Sequence, residues 1–225
     1  NDFFDEGFLR QEGLLSLGDA IYTIHIPETN EQIQNALYRL KFNEHFYLQL
    51  IKVLSKKQLE MKKGKSFKKL GDITKKMYKN LEFKLTNSQI KVLQEIREDF
   101  KSTKPMNRLI QGDVGCGKTI VSIFAASIIA GNNAQVAVMA PTEILAEQHF
   151  KSFSSYFEEF DTKCSLLIGN MKEKEKKNIY EKLKAGDIQI IIGTHALIQE
   201  NVIFNNLGLA IIDEQHKFGV EQRKR

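Results

Sequence analysis

Apolar residues at Ile33, Leu37, Leu40, Tyr47, Ile51 and Leu54 recur at spacings of three, four and seven. That rhythm predicts one long amphipathic helix from residue 30 to about 59, with Thr29 or Asn30 as its cap behind Pro27. The pattern then gives way to lysine. Lys62, Lys63, Lys65, Lys68, Lys69, Lys75, Lys76 and Lys79 crowd a stretch in which only Glu60 and Asp72 oppose them. Repulsion and solvation predict a hinge or linker over 61–80. The lysines read more readily as a solvated face than as a track for a phosphate backbone.

Beyond residue 80 the texture changes, and short apolar runs alternate with helical patterns as in βαβ units. Predicted strands are 108–111, 135–140, 164–168, 188–192 and 207–212; predicted helices between them span 118–130, 143–157 and 172–184. Gly131 and Gly186 fall where helix stops belong. Runs such as "IQIII" and "LGLAII" are apolar without alternation. They predict burial on both faces, hence a parallel sheet covered by helices. The expected class is α/β, preceded by an α-helical extension.

Chemistry gathers at two places in this second half. "GDVGCGKT" fits the phosphate-loop spacing at Gly112, Gly117, Lys118 and Thr119, between a predicted strand and an apolar-faced helix. Glycines at 112, 115 and 117 let several N–H groups turn inward around an anion. The helix start favours a phosphate, Lys118 adds a point charge toward the β and γ oxygens, and Thr119 offers a hydroxyl to Mg²⁺. Asp113, Val114 and Cys116 complete the loop; Cys116 reads as a small tolerated residue rather than a reactive thiol. The second place is "LAIIDEQH", where Asp213 and Glu214 end an apolar strand. In an open parallel sheet that is the ligand side. Asp213 suits a Walker B metal ligand, and Glu214 suits the carboxylate that activates an attacking water.

Four segments, "QGDVGCGKT", "APTEILAEQH", "IIIGTHALIQ" and "IIDEQHKFGVEQR", resemble the ordered motifs of superfamily 2 helicases, and most closely those of the RecG type. The resemblance spans about 83–223 and, less specifically, the helical segment "ALYRLKFNEHFYLQL". It implies a RecA-like P-loop NTPase lobe over 81–225, behind a helical extension and basic linker over 1–80 that leads from a wedge domain. It implies that Gln89 and Phe83 hold the adenine, that Lys118, Glu214 and His216 are catalytic, and that Thr119 and Asp213 serve Mg²⁺. Pro141, Thr142, Glu143, Gln148, Gly193, Thr194 and His195 inherit contact with the nucleic-acid backbone. Cys116 stands where such helicases commonly carry serine, and Lys217 where they commonly carry arginine. ATP, Mg²⁺ and branched or forked DNA are the expected cofactors and partner. The implied activity is ATP-driven fork reversal and branch migration in recombination and repair. Its nearest alternatives are a transcription-repair coupling translocase and a nucleotide-gated module that does not hydrolyse. A second RecA-like lobe, not present in this stretch, is implied to complete the motor, so unwinding by these 225 residues alone is not expected.

Charge and cysteine content add little to this picture. A formal net charge of +5 is mild support for a polyanionic partner. The two cysteines sit in unlike surroundings, so a disulfide is not expected and a reducing cytoplasm fits. No apolar run reaches the roughly 20 residues that a membrane-crossing helix needs.

Overall fold

A computed structural model of the chain describes residues 2–61 and 63–214. They divide into two compact units between Lys62 and Lys63.

The first unit is helical. α1 (Glu6–Gln11) and α2 (Leu17–His25) start on Asp5 and Ser16, whose side chains accept the N–H groups of Phe8 and Asp19. α3 spans Asn30–Met61. At its start the Thr29 hydroxyl accepts from the Gln32 N–H and the Gln32 carbonyl oxygen accepts from the Thr29 N–H, both at 3.2 Å. This reciprocal cap satisfies two backbone donors that the helix itself cannot. α2 packs along α3. On α3, facing the N-terminal residues, lies Arg39, whose side chain is fully buried. It donates to the Leu15 carbonyl at 2.9 Å and to Asp2 Oδ1 at 2.6 Å, and its guanidinium lies 5.1 Å from the centre of the Phe4 ring. Burial disfavours the Asp2 carboxylate. The N–H groups of Leu17 and Phe4 and the Arg39 guanidinium outweigh that cost and hold its pKa below the usual value.

In the second unit, residues 63–80 are not a loose linker. They contain α4 (Asp72–Lys79), which packs on α6 (Lys118–Ala130). Thr74 and Met77 are buried while Lys75, Lys76 and Lys79 face solvent, and the Thr74 hydroxyl meets that of Ser127 at 2.8 Å. One turn of apolar positions therefore outweighs the lysines, which need only their tips in water. Gly71 approaches Gly131 so closely that a Cβ at Gly71 would lie 3.0 Å from the Gly131 Cα. Gly131 serves this contact, because its φ of −66° is ordinary helix. α5 (Asn87–Lys101), a helix not among those predicted above, begins with a complete capping box between Thr86 and Gln89 and carries Ile90, Leu93, Ile96 and Phe100 at helical spacing.

The sheet holds four parallel strands in the order β2-β3-β1-β4: β1 (Gln135–Met139), β2 (Cys164–Leu167), β3 (Ile190–Gly193) and β4 (Leu207–Ile212). α7 (Glu143–Phe157) connects β1 to β2, and α8 (Glu173–Ala185) connects β2 to β3. Side chains alternate across the pleat. Val136, Val138, Ile190, Ile192 and Leu209 face a core with α5, α6 and α7, whereas Ile191, Met139 and Leu167 face α8 and a 3₁₀ turn, His195–Ile198. β3 is buried throughout, as its apolar run predicts.

Two expectations differ from the structure. Residues 108–111 pair with no described strand, and β4 is half exposed along its length. The causes are linked. A trough of about 840 Å³ separates β4 from the extended segment 106–110. Ile110 packs against the core while Leu109 is exposed. Lacking a ladder partner across the trough, neither segment is covered on its facing edge.

Asp2→Ala should leave the Arg39 guanidinium buried without its counter-charge, and the first unit should lose about 3 kcal/mol of stability. Urea denaturation followed by helical circular dichroism measures this; an unchanged midpoint would show that the pair is not needed.

Candidate functional site

Because the strands run parallel, their C-terminal ends share one edge of the sheet. The segments that continue from β1, β2, β3 and β4 therefore converge there, together with the start of α6. The loop before α6 is built by two residues in left-handed conformation, Gly115 and Gly117, both at φ 83°. Cβ atoms would strain both positions. No side chain caps α6, so its first N–H groups remain available to a ligand.

Lys118 curls back across this loop. Its Nζ donates to the carbonyls of Gly112 at 2.7 Å and Asp113 at 2.8 Å and lies 3.9 Å from Cys116 Sγ. The Cys116 thiol is tucked against Gly112, where a Cβ would meet Sγ at 2.7 Å. Asp113 and Val114 are exposed at the tip. Gln89 reaches the loop from α5: its Oε1 accepts from the Thr86 N–H at 2.9 Å and its Nε2 donates to the Cys116 carbonyl at 3.0 Å. Gln89 thus ties the helix cap to the phosphate-loop backbone. Phe83 is about half exposed nearby in sequence.

Across the site stands Asp213. Its N–H donates to the Met139 carbonyl at 2.9 Å, its Oδ1 accepts from the Glu214 N–H at 3.0 Å, and its Oδ2 meets His149 Nε2 at 2.8 Å. Asp213, Glu214, Lys118, Thr119 and His149 all line the trough beside β4. Glu214 has φ 50°, a left-handed conformation costly for a side chain with a Cβ. His149, which sequence reasoning passed over, sits on the inner face of α7 with Ala146 and Phe153. Its signal was a polar residue within an apolar helical stripe. His216 lies outside the described residues.

The residues expected at the nucleic-acid backbone share the same sheet edge but differ in accessibility. Thr142 caps α7 by accepting from the Leu145 N–H at 3.3 Å, and Glu143 Oε1 accepts from the Asn170 N–H at 3.2 Å. Pro141 is half buried; Gln148 and His195 are exposed. Gly193 is buried, and a Cβ there would lie 2.2 Å from the Leu167 carbonyl oxygen. Thr194 is 2% exposed and its hydroxyl has no partner among the described residues. Gly193 and Thr194 are thus shielded by packing between β2, β3 and the 3₁₀ turn, which leaves Thr142, Gln148 and His195 as the open side chains of the set.

A glycine-rich loop of phosphate-loop spacing before a helix, with an aspartate at the end of a strand of a parallel α/β sheet, is the arrangement of a P-loop nucleotide lobe. The chain belongs to the DEAD/DEAH box helicase family, whose pattern it matches over residues 86–225. Within that family it is similar to RecG. It is 46% identical over 219 residues to the ATP-dependent DNA helicase RecG of Thermotoga maritima, covering 97% of this chain and 28% of that protein. It is also 46% identical over 209 residues to RecG of Bacillus subtilis, covering 92% of this chain and 30% of that one. The solved structure of RecG bound to a three-way DNA junction superposes with a TM-score of 0.84 at 44% identity, over 97% of this chain and 30% of that one. A hypothetical ATP-dependent RNA helicase from Sulfolobus tokodaii, with a TM-score of 0.50 at 21% identity, shares the fold over 65% of this chain. The chain therefore spans less than a third of the length of these RecG relatives.

The two thiols, both free, differ in environment. Cys116 is exposed; burial pushes the Cys164 thiol up to about 11, against a weaker opposing hydrogen bond with Ser154. At pH 8 about a thousandth of Cys164 is thiolate, the reactive form. Iodoacetamide should label Cys116 alone, as read by mass spectrometry of the digested protein; equal labelling of both would contradict the burial of Cys164.

Proposed function

We propose that this chain is the ATP-binding first motor lobe of a DNA helicase that uses hydrolysis to remodel branched DNA. Fork reversal and Holliday junction migration are the reactions proposed for the whole protein. The observation that carries the reading is that Lys118, Thr119, Asp213 and Glu214 all line one trough. The similarity to RecG supports DNA rather than another polymer as the track. We also assign to the longer protein a second RecA-like lobe and a DNA wedge domain, since the relatives extend far beyond the matched span.

The residues fit a Mg²⁺-triphosphate. Glycines at 115 and 117 shape a cup of amides, and the Lys118 ammonium already bridges two carbonyls across it. In binding, Lys118 exchanges those carbonyls for β and γ phosphate oxygens, and the N–H groups opening α6 take the β phosphate. Thr119 and Asp213 are the oxygens offered to the metal, which typically keeps most of its other ligands as water and phosphate. When bound, Mg²⁺ neutralises charge on the triphosphate and aligns its terminal phosphoryl group. Glu214 accepts the proton of the attacking water. Gln89 orients the loop through Cys116, keeps a second amide hydrogen for the adenine edge, and Phe83 covers the base. His216 is proposed to couple this site to the DNA surface, where Thr142, Gln148 and His195 meet the phosphate backbone. Pro141, Glu143, Gly193 and Thr194 shape that surface.

In the whole protein, Glu214→Gln should lower DNA-stimulated ATP hydrolysis by about 100-fold or more while ATP affinity persists. Parallel turnover assays and equilibrium titration with a fluorescent ATP analogue measure the two quantities. Undiminished turnover would overturn the assignment of Glu214 and favour a nucleotide-gated module.

A further inference from the structure

The role of His149 is not explained by the assignments above. It lies on the second turn of α7, seven residues beyond the helix cap Thr142, and its side chain is 17% exposed. Its Nε2 meets Asp213 Oδ2 at 2.8 Å. A carboxylate can only accept, so Nε2 carries the proton of this contact. The other carboxylate oxygen, Oδ1, is held by the Glu214 N–H, and the Asp213 N–H is fixed to the carbonyl of Met139 at the end of β1. Two bonds thus hold the carboxylate, one at each oxygen, while a third fixes the backbone of Asp213 to the end of β1. Of the three, only the bond from His149 comes from a side chain.

We propose that His149 is a positioning residue for Asp213, setting the carboxylate geometry on which Mg²⁺-dependent nucleotide binding rests. This inference depends on the assignment of Asp213 as a metal ligand. The bond leaves the Asp213 carboxylate able to accept further contacts, since each of its oxygens has a further lone pair. Ligating carboxylates generally need such outer partners, and their loss commonly weakens metal binding by tenfold or more. The same contact attaches α7 to the site as a rigid helix. The turn at its start, 141–143, therefore shares a support with the carboxylate.

Glutamine places a donor close to where His149 Nε2 stands, whereas leucine fills similar space without one. ATP affinity is to be measured by titration with a fluorescent ATP analogue, in Mg²⁺ and in EDTA, for the native chain, His149→Leu and His149→Gln. The expected result is that Mg²⁺ strengthens native binding, that His149→Leu loses about tenfold of this gain with its EDTA affinity unchanged, and that His149→Gln recovers most of it. Manganese affinity of the nucleotide complex, read by electron paramagnetic resonance, should follow the same order. Should the native chain gain nothing from Mg²⁺, the metal-nucleotide assignment itself fails. If the native chain gains but His149→Leu gains equally, or if His149→Leu weakens binding in EDTA as much as in Mg²⁺, the positioning role is overturned.

Discussion

Parallel pairing of β1 between β3 and β4 is the constraint on which the site depends. It fixes the direction of every strand, so that the chain leaves each of them at the same edge. Register then does the finer work: Met139 stands opposite Gly193 on one side and Ile212 on the other. The turns that follow, beginning at Ala140, Thr194 and Asp213, start level with one another. Helices on both faces remove water from β1 and β3, and the ladder bonds there tolerate little slippage because the two faces are committed to different cores. Without that pairing, Asp213 and the phosphate loop would be unrelated features of a polar surface.

The geometry around the loop is that of a site prepared for an anion. Its lysine is held by two backbone carbonyls, its helix start is uncapped, and its tightest turns carry glycine. A cation satisfied only by neutral carbonyls gains a direct Coulomb attraction when anionic phosphate oxygens replace them. The strain at Glu214, whose backbone adopts a left-handed conformation, fits the same picture of a site whose shape is imposed by its surroundings. The trough along β4 contributes little to this chemistry except where Asp213 and Lys118 line it.

Much of this was legible in the residues. α6 and α7 begin and end where their periodicity predicts, and β4 spans the predicted 207–212, because long regular apolar patterns dominate local alternatives. The glycine and lysine spacing ahead of α6 was equally plain, although the strand expected before it does not form among the described residues. Other features depend on contacts that no local pattern carries. α4 was hidden by its lysines, and only the packing of Met77 and Thr74 against α6 reveals why it folds. The segment 108–111 has strand composition but pairs with no strand among the described residues. The burial of Thr194 and the bond from His149 to Asp213 join residues far apart in sequence, and such long-range contacts are invisible to periodicity.

The central claim is that the loop 112–119 and the tips of β1 and β4 together form one triphosphate site. Amide hydrogen exchange with and without a Mg²⁺-ATP analogue tests it directly. Slowed exchange in 112–120, accompanied by slowed exchange just after Met139 and at 213–214, is the predicted result. Unchanged exchange in 112–120, or protection confined to 106–110 and the exposed edge of β4, would contradict it.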